Sequence, residues 1–340
     1  MQRVHETIKG HRVSEPLFLF WATHTIHTPL QVPKAFLANF SHVDDERRKR
    51  YLAMVSWLDA AVGSTIDLLR EERMYDNTLL LFTSDNGGPV YFGGSAGANN
   101  WPLRGGKTSN FQGGIRVNAW ASGGLVPASM HGTKLGGLMA VWDAYATFAA
   151  LAGAETTDHR AAAAGLPPVD SINLWPYLSG KVSHSPRRQV EIGSTTCEQP
   201  AKPGCINKWG WGDVRTVVQG LIEDRGDAGV WKLLIGRNPM NGWQGPYYPN
   251  KTTPAHAWSF NEVYDCGETG CLFRLDADPS EHTDLKATQP EIASEMLGRM
   301  RKLNRTTFSP YRGKGEQDRD VEAACNAAQD RYGGFFGPFR

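Results

Sequence analysis

A chain of 340 residues can bury a substantial core, as one large domain or two. Hydrophobic residues at 40% and charged residues at 21% lie in the ordinary globular range, which argues against disorder. A formal net charge of +1 with no basic stripe argues against a nucleic-acid partner, and no apolar run approaches the ~20 residues of a membrane span.

Residues 1–13 are polar and read as the tail of a helix or a linker. Pro16 is tolerated at the start of a strand, and Leu17-Phe18-Leu19-Phe20-Trp21 reads as a strand over 17–22. It ends in the polar loop Thr23-His24-Thr25-Ile26-His27-Thr28-Pro29. Asp44 or Asp45 can cap the helix that follows. Its apolar residues Tyr51, Val55, Leu58, Val62, Ile66 and Leu69 recur at helical spacing, which predicts one buried face. A second apolar strand, Thr78 to Ser84, runs straight into Asp85-Asn86-Gly87-Gly88. Strand, helix and strand together predict a right-handed βαβ unit with parallel strands. Both polar ends then fall on one edge of the sheet, where open α/β folds gather their sites.

Residues 87–114 are rich in Gly, Asn and Ser and read as a long functional loop. A short strand, Ile115 to Ala121, leaves it, and a helix over 138–152 is stopped by Gly153. Residues 161–168 read as a surface insertion. Beyond about residue 183 come short strands at 214–221, 230–235 and 271–275, a helix at 290–303 and a polar, Gly-rich tail. The expected organisation is an α/β portion over 1–182 and a smaller α+β subdomain over 183–340.

The Asp85-Asn86 step offers a carboxylate and a neutral amide oxygen, ligands that hard divalent cations favour. Asp, Asn and Gly also make turns for backbone reasons alone. His27, in a loop at a strand end, suits proton transfer or a hydrogen bond to an anionic oxygen, and His24 is a neighbour in a supporting role. Lys107 lies in a Gly-rich loop where an ammonium can clamp an anion. Arg104 and Arg116 flank it and can order the loop through carboxylates, whereas Trp101 reads as packing. No G-x-S-x-G elbow, Walker loop or dinucleotide fingerprint is present. Cys197 and Cys205 are close in sequence, as are Cys266 and Cys271; Cys325 stands alone, a free thiol or one short of a partner. Sequons at Asn39, Asn250 and Asn304 are compatible with a secretory route, although the first residues carry no signal-peptide pattern.

The segments Ala22 to Pro33, Ser84 to Gly88 and Asn99-Asn100-Trp101-Pro102-Leu103-Arg104-Gly105-Gly106-Lys107 resemble the type I sulfatases, most closely the arylsulfatase B group. The resemblance continues through Trp231-Lys232-Leu233-Leu234 and Phe273 to Glu281. It implies an alkaline-phosphatase-like, mostly parallel sheet flanked by helices, here partial. It implies further that Asp85 and Asn86 are two ligands of a Ca²⁺ ion, and that His27 and Lys107 contact a sulfate ester. Sulfated carbohydrates, glycosaminoglycans among them, or aryl sulfates are the implied substrates, and a lysosomal or extracellular setting the implied location.

The family's nucleophile is a formylglycine made from C-x-P-S-R or S-x-P-S-R, and neither motif occurs among the 340 residues. The family's paired aspartates are likewise absent. The chain therefore resembles the C-terminal part of a sulfatase, with Cys325 lacking a partner from the other half, and is expected to be inactive alone. The alternatives are a non-catalytic sulfatase-like binding protein and a phosphate-ester hydrolase. The Asn99–Lys107 loop and the small metal-ligand set argue against the latter.

Overall fold

The computed structural model describes residues 1–90, 97–197, 214–254, 263–307 and 321–335. The N-terminal polar segment forms α1 (Gln2–Lys9), followed by a short α2 (Lys34–Leu37) and the long α3 (Glu46–Glu71). Asp45 is the cap: its side chain accepts the Arg47 and Arg48 amides at 3.0 and 2.8 Å. The buried face of α3 runs through Met54, Ala61, Thr65 and Leu68, with Ala53 and Leu69 beside it. Val55, expected on the buried face, is exposed; it lies one residue, or ~100°, round the helix from Met54. Val4 and Ile8 of α1 pack against Leu68 and Leu69 and fix this orientation. Contrary to expectation, α3 is long and apolar enough, by length and composition alone, to cross a bilayer.

The expected strand over 17–22 forms no ladder, and Phe18 and Phe20 are 74% and 81% exposed. Its partner in the expected βαβ unit, β1 (Leu80–Thr83), pairs antiparallel with β2 (Ala119–Ser122). Phe82 stacks on Trp120 directly opposite, centroids 5.1 Å apart, a cross-strand contact that fixes register. No parallel pair occurs among the described residues, so the crossover expectation fails at its first strand. A strand exists only with a bonded neighbour, and residues 17–22 find none among the described residues. Between β1 and β2 lies a short α4 (Gln112–Ile115).

The helix expected over 138–152 is the shorter α5 (Asp143–Leu151), followed by Gly153 at φ +69°. Its first residue is drawn into a buried ion pair with Arg187, which supports residues 170–172 from the same carboxylate and guanidinium. The expected insertion over 161–168 begins inside α6 (His159–Ala163), which Asp158 caps, and α7 (Trp175–Leu178) follows.

The C-terminal strands are β3 (Gln189–Cys197), β4 (Val214–Asp224), β5 (Val230–Leu234), β6 (Arg237–Pro239), β7 (Val263–Asp265) and β8 (Cys271–Arg274). They form a four-stranded antiparallel sheet in the order β3-β4-β5-β8 and a small β6-β7 pair. Strand β3 was not foreseen. The helix at 290–303 appears as α8 (Pro290–Leu303), with Pro290 in its first turn, and α9 (Val321–Arg331) forms where a tail was expected.

Alternation along the strands sorts the sheet into two faces. Leu221, Trp231, Leu233 and Leu272 meet Met296, Leu297 and Met300 of α8. Ile222, Leu234 and Phe273 face the other way and pack on Phe111 from the Gly-rich loop. Cys266 and Cys271 form a disulfide at this face; Cys325 is free and exposed, and Cys205 lies outside the described residues.

Candidate active site

Two of the predicted residues meet. Nζ of Lys107 lies 3.4 Å from Nε2 of His27. The other ring nitrogen, Nδ1, is 2.8 Å from the Thr28 carbonyl, an acceptor only, so Nδ1 carries the proton and donates. Nε2 of neutral His27 is then an acceptor facing the Lys107 ammonium. His27 is exposed and Lys107 half-buried, so an anion from solvent can reach both. His24 is exposed and contributes its backbone carbonyl, which accepts the His27 amide at 3.0 Å.

The Asp85-Asn86 turn follows β1 directly. Asp85 Oδ1 accepts the Asn86 amide at 2.9 Å, and Ser84 Oγ donates to the Asn86 carbonyl. The next residues bind this turn to the Lys107 loop. Asn100 accepts the Gly88 amide at 2.9 Å and donates to the Gly88 and Gly105 carbonyls. The Lys107 amide also donates to the Gly88 carbonyl, at 3.1 Å. These approaches require glycine: a Cβ on Gly87 would lie 1.7 Å from the Gly113 carbonyl oxygen, and one on Gly106 2.5 Å from that of Gly88. Thr108, beside Lys107, sits at φ +76°, a left-handed conformation that a β-branched residue avoids.

The C-terminal sheet holds this loop from beneath. Arg104 is buried and orders the loop through carbonyls and rings. Its guanidinium donates to the Asn241 and Glu281 carbonyls and stacks over Phe111, Trp243 and Tyr264, 3.9 to 4.4 Å from the centroids. Arg116 is exposed, and so is Trp101, which does not pack as the sequence reading expected. Glu281 and Lys232, both fully buried, pair at 2.6 Å. Burial away from water pushes the Lys232 ammonium below its ordinary range; Glu281 opposes that shift and Arg104 adds to it. The sequence does carry a signal for this pair, a lysine inside the apolar run Trp231-Lys232-Leu233-Leu234, since a charge in a buried strand requires a partner.

As a Ca²⁺ site the described residues fall short. Calcium takes about six to eight oxygens. Asp85 and Asn86 offer one carboxylate and one amide, and no group of three His, Cys, Asp or Glu side chains converges among the described residues.

Residues 1–154 match the sulfatase family. The chain is 30% identical over 307 residues to mouse arylsulfatase J, covering 90% of this chain and 48% of that protein. To human N-acetylgalactosamine-6-sulfatase it is 33% identical over 188 residues, 55% of this chain and 33% of that protein. The solved structure of Ps i-CgsB in complex with k-i-k-neocarrahexaose superposes with a TM-score of 0.65 at 25% identity, over 98% of this chain and 59% of that one. These matches support the type I sulfatase family for this chain, and its fold is the α/β class of its sulfatase structural neighbours. These matches do not single out the arylsulfatase B group, and the chain spans about half or less of the curated relatives named here.

Proposed function

We propose that this chain serves sulfate ester hydrolysis, with His27 and Lys107 as the residues that meet the ester and Asp85 and Asn86 as part of a cation site. The observation that carries the reading is the 3.4 Å approach of Lys107 to His27 in a chain whose first 154 residues match the sulfatases. An ammonium held there stabilises negative charge on the ester oxygens. An imidazole that keeps its proton on Nδ1 offers Nε2 to the oxygen that leaves, and can carry a proton to it from solvent. The relatives' names support sulfated carbohydrates as the substrate class, with N-acetylgalactosamine sulfates the first to try. A secretory setting fits the sequons at Asn39, Asn250 and Asn304. Residues 1–182 would carry this site and residues 183–340 would support it.

Covalent catalysis needs a nucleophile, and no formylglycine precursor motif occurs in these 340 residues. The 340-residue chain by itself is therefore expected to bind without turnover, which is also what a sulfatase-like binding protein would do. The test is sulfate release from 4-nitrophenyl sulfate and from N-acetylgalactosamine 6-sulfate, alongside binding of each. Binding without release is the expected result. Release above background would overturn the inactivity, and absence of binding to either ester would overturn the assignment of the site.

A further inference from the structure

The loop that carries Lys107 begins and ends on one residue of the C-terminal part. At its start, Arg104 donates through Nη1 to the Glu281 carbonyl at 3.1 Å. At its end, the Gln112 amide donates to Glu281 Oε2 at 2.6 Å. The other carboxylate oxygen, Oε1, takes the Lys232 ammonium at 2.6 Å from the middle of β5. The two loop ends also bind each other, the Gly113 amide donating to the Arg104 carbonyl at 2.7 Å. Glu281 is fully buried and sits at φ +56°, a conformation that a non-glycine residue adopts only when its surroundings demand it. A carboxylate this deep is costly, and replacing a buried ion pair by apolar residues is often neutral or stabilising. Stability alone is therefore a poor reason for this pair.

We propose that Glu281, held by Lys232, is a positioning residue: it fixes both ends of the 104–112 loop and so sets the Lys107 ammonium against His27. This deepens the reading of Lys107 given above, but its test needs neither ester nor turnover, so the two can fail separately. Residue 281 acts at a distance, through the loop, and touches no substrate.

The experiment compares two double variants of the full chain. Lys232→Met/Glu281→Leu removes the charges and the acceptor for the Gln112 amide. Lys232→Met/Glu281→Gln removes the charges but keeps an acceptor oxygen. The readout is the rate at which an amine-reactive acylating reagent labels Lys107, relative to exposed Lys34 in the same molecule, resolved by mass spectrometry. The Met/Leu variant should raise the Lys107-to-Lys34 ratio several-fold, because a released loop opens the half-buried Lys107 amine to the reagent. The Met/Gln variant should stay within about twofold of the parent, the usual tolerance of an uncoupled change. A folded Met/Leu variant with the parental ratio overturns the proposal.

If Met/Leu does not fold, hydrogen exchange on the parent decides. The Gln112 and Lys107 amides should open as one unit, with protection equal within about threefold. Lys107 exchanging far faster than Gln112 would show that the anchor does not reach it.

Discussion

Nε2 of His27 and Nζ of Lys107 stand 3.4 Å apart although 80 positions separate them in the chain. Each is brought there by backbone. The His27 ring is oriented by the Thr28 carbonyl, and Lys107 by the bond from its own amide to the Gly88 carbonyl. The site thus depends on glycines that let three stretches of main chain touch.

Gly106→Ala tests that dependence. Its Cβ would lie 2.5 Å from the Gly88 carbonyl oxygen, which is backbone, with the Asn100 and Val90 side chains at 2.9 and 3.0 Å. Overpacking of this kind costs about 1–3 kcal/mol. Urea unfolding should show a lower midpoint at an unchanged slope, and an unchanged midpoint would mean the loop has more room than the structure gives it.

Removing the cap of α3 should lower the stability of the helix start. Asp45→Ala leaves the Arg47 and Arg48 amides without their acceptor, at a cost of about 1 kcal/mol. Asp45→Asn should recover most of it. Equal stability of the Ala and Asn variants would assign the helix start to another residue.

Glu281→Ala alone leaves the Lys232 ammonium buried and unpartnered, and breaking one side of such a pair costs about 3–5 kcal/mol. Adding Lys232→Met should return much of that loss. A single variant that unfolds at the parental denaturant concentration would mean that water reaches Lys232.

Asp276 gives a pH dependence with a definite sign. Partial burial raises its pKa, but hydrogen bonds from Arg274 and the Val230 amide outweigh this, and the net shift is below the ordinary 3.8. A carboxyl with a depressed folded pKa contributes stability that is whole above the unfolded value and is lost as pH falls through the folded one. The difference in unfolding midpoint between parent and Asp276→Asn should therefore be constant above about pH 4–5 and shrink below it. A difference that grows on acidification would reverse the sign.

The sequence made some elements plain and concealed others for physical reasons. Helix α8 is found at its expected bounds because Pro290 and an apolar stripe both mark it. Strands β4, β5 and β8 were readable from their β-branched and aromatic content. Residues 17–22 have the same character yet form no ladder, because strand pattern describes one segment and pairing needs two. The parallel crossover was expected to bring the histidines to Asp85 and Asn86, and no parallel pair occurs among the described residues; the observed neighbour of His27 is Lys107. The loop contacts of Gly88 and Asn100 hold the Lys107 side of that pair. Glu281 was invisible as an anchor, since nothing local to it points to Gln112 across 169 positions.

The most direct test of the account is binding of an aryl sulfate, followed by the His27 ring resonances in an NMR titration of the parent chain and of Lys107→Met. The parent should bind with a Kd on the order of 1 mM, shifting the His27 signals, and Lys107→Met should bind at least about tenfold more weakly, a difference of about 1.4 kcal/mol. Equal binding by both chains, or saturation without any shift at His27, would contradict the claim that this pair forms the sulfate ester site.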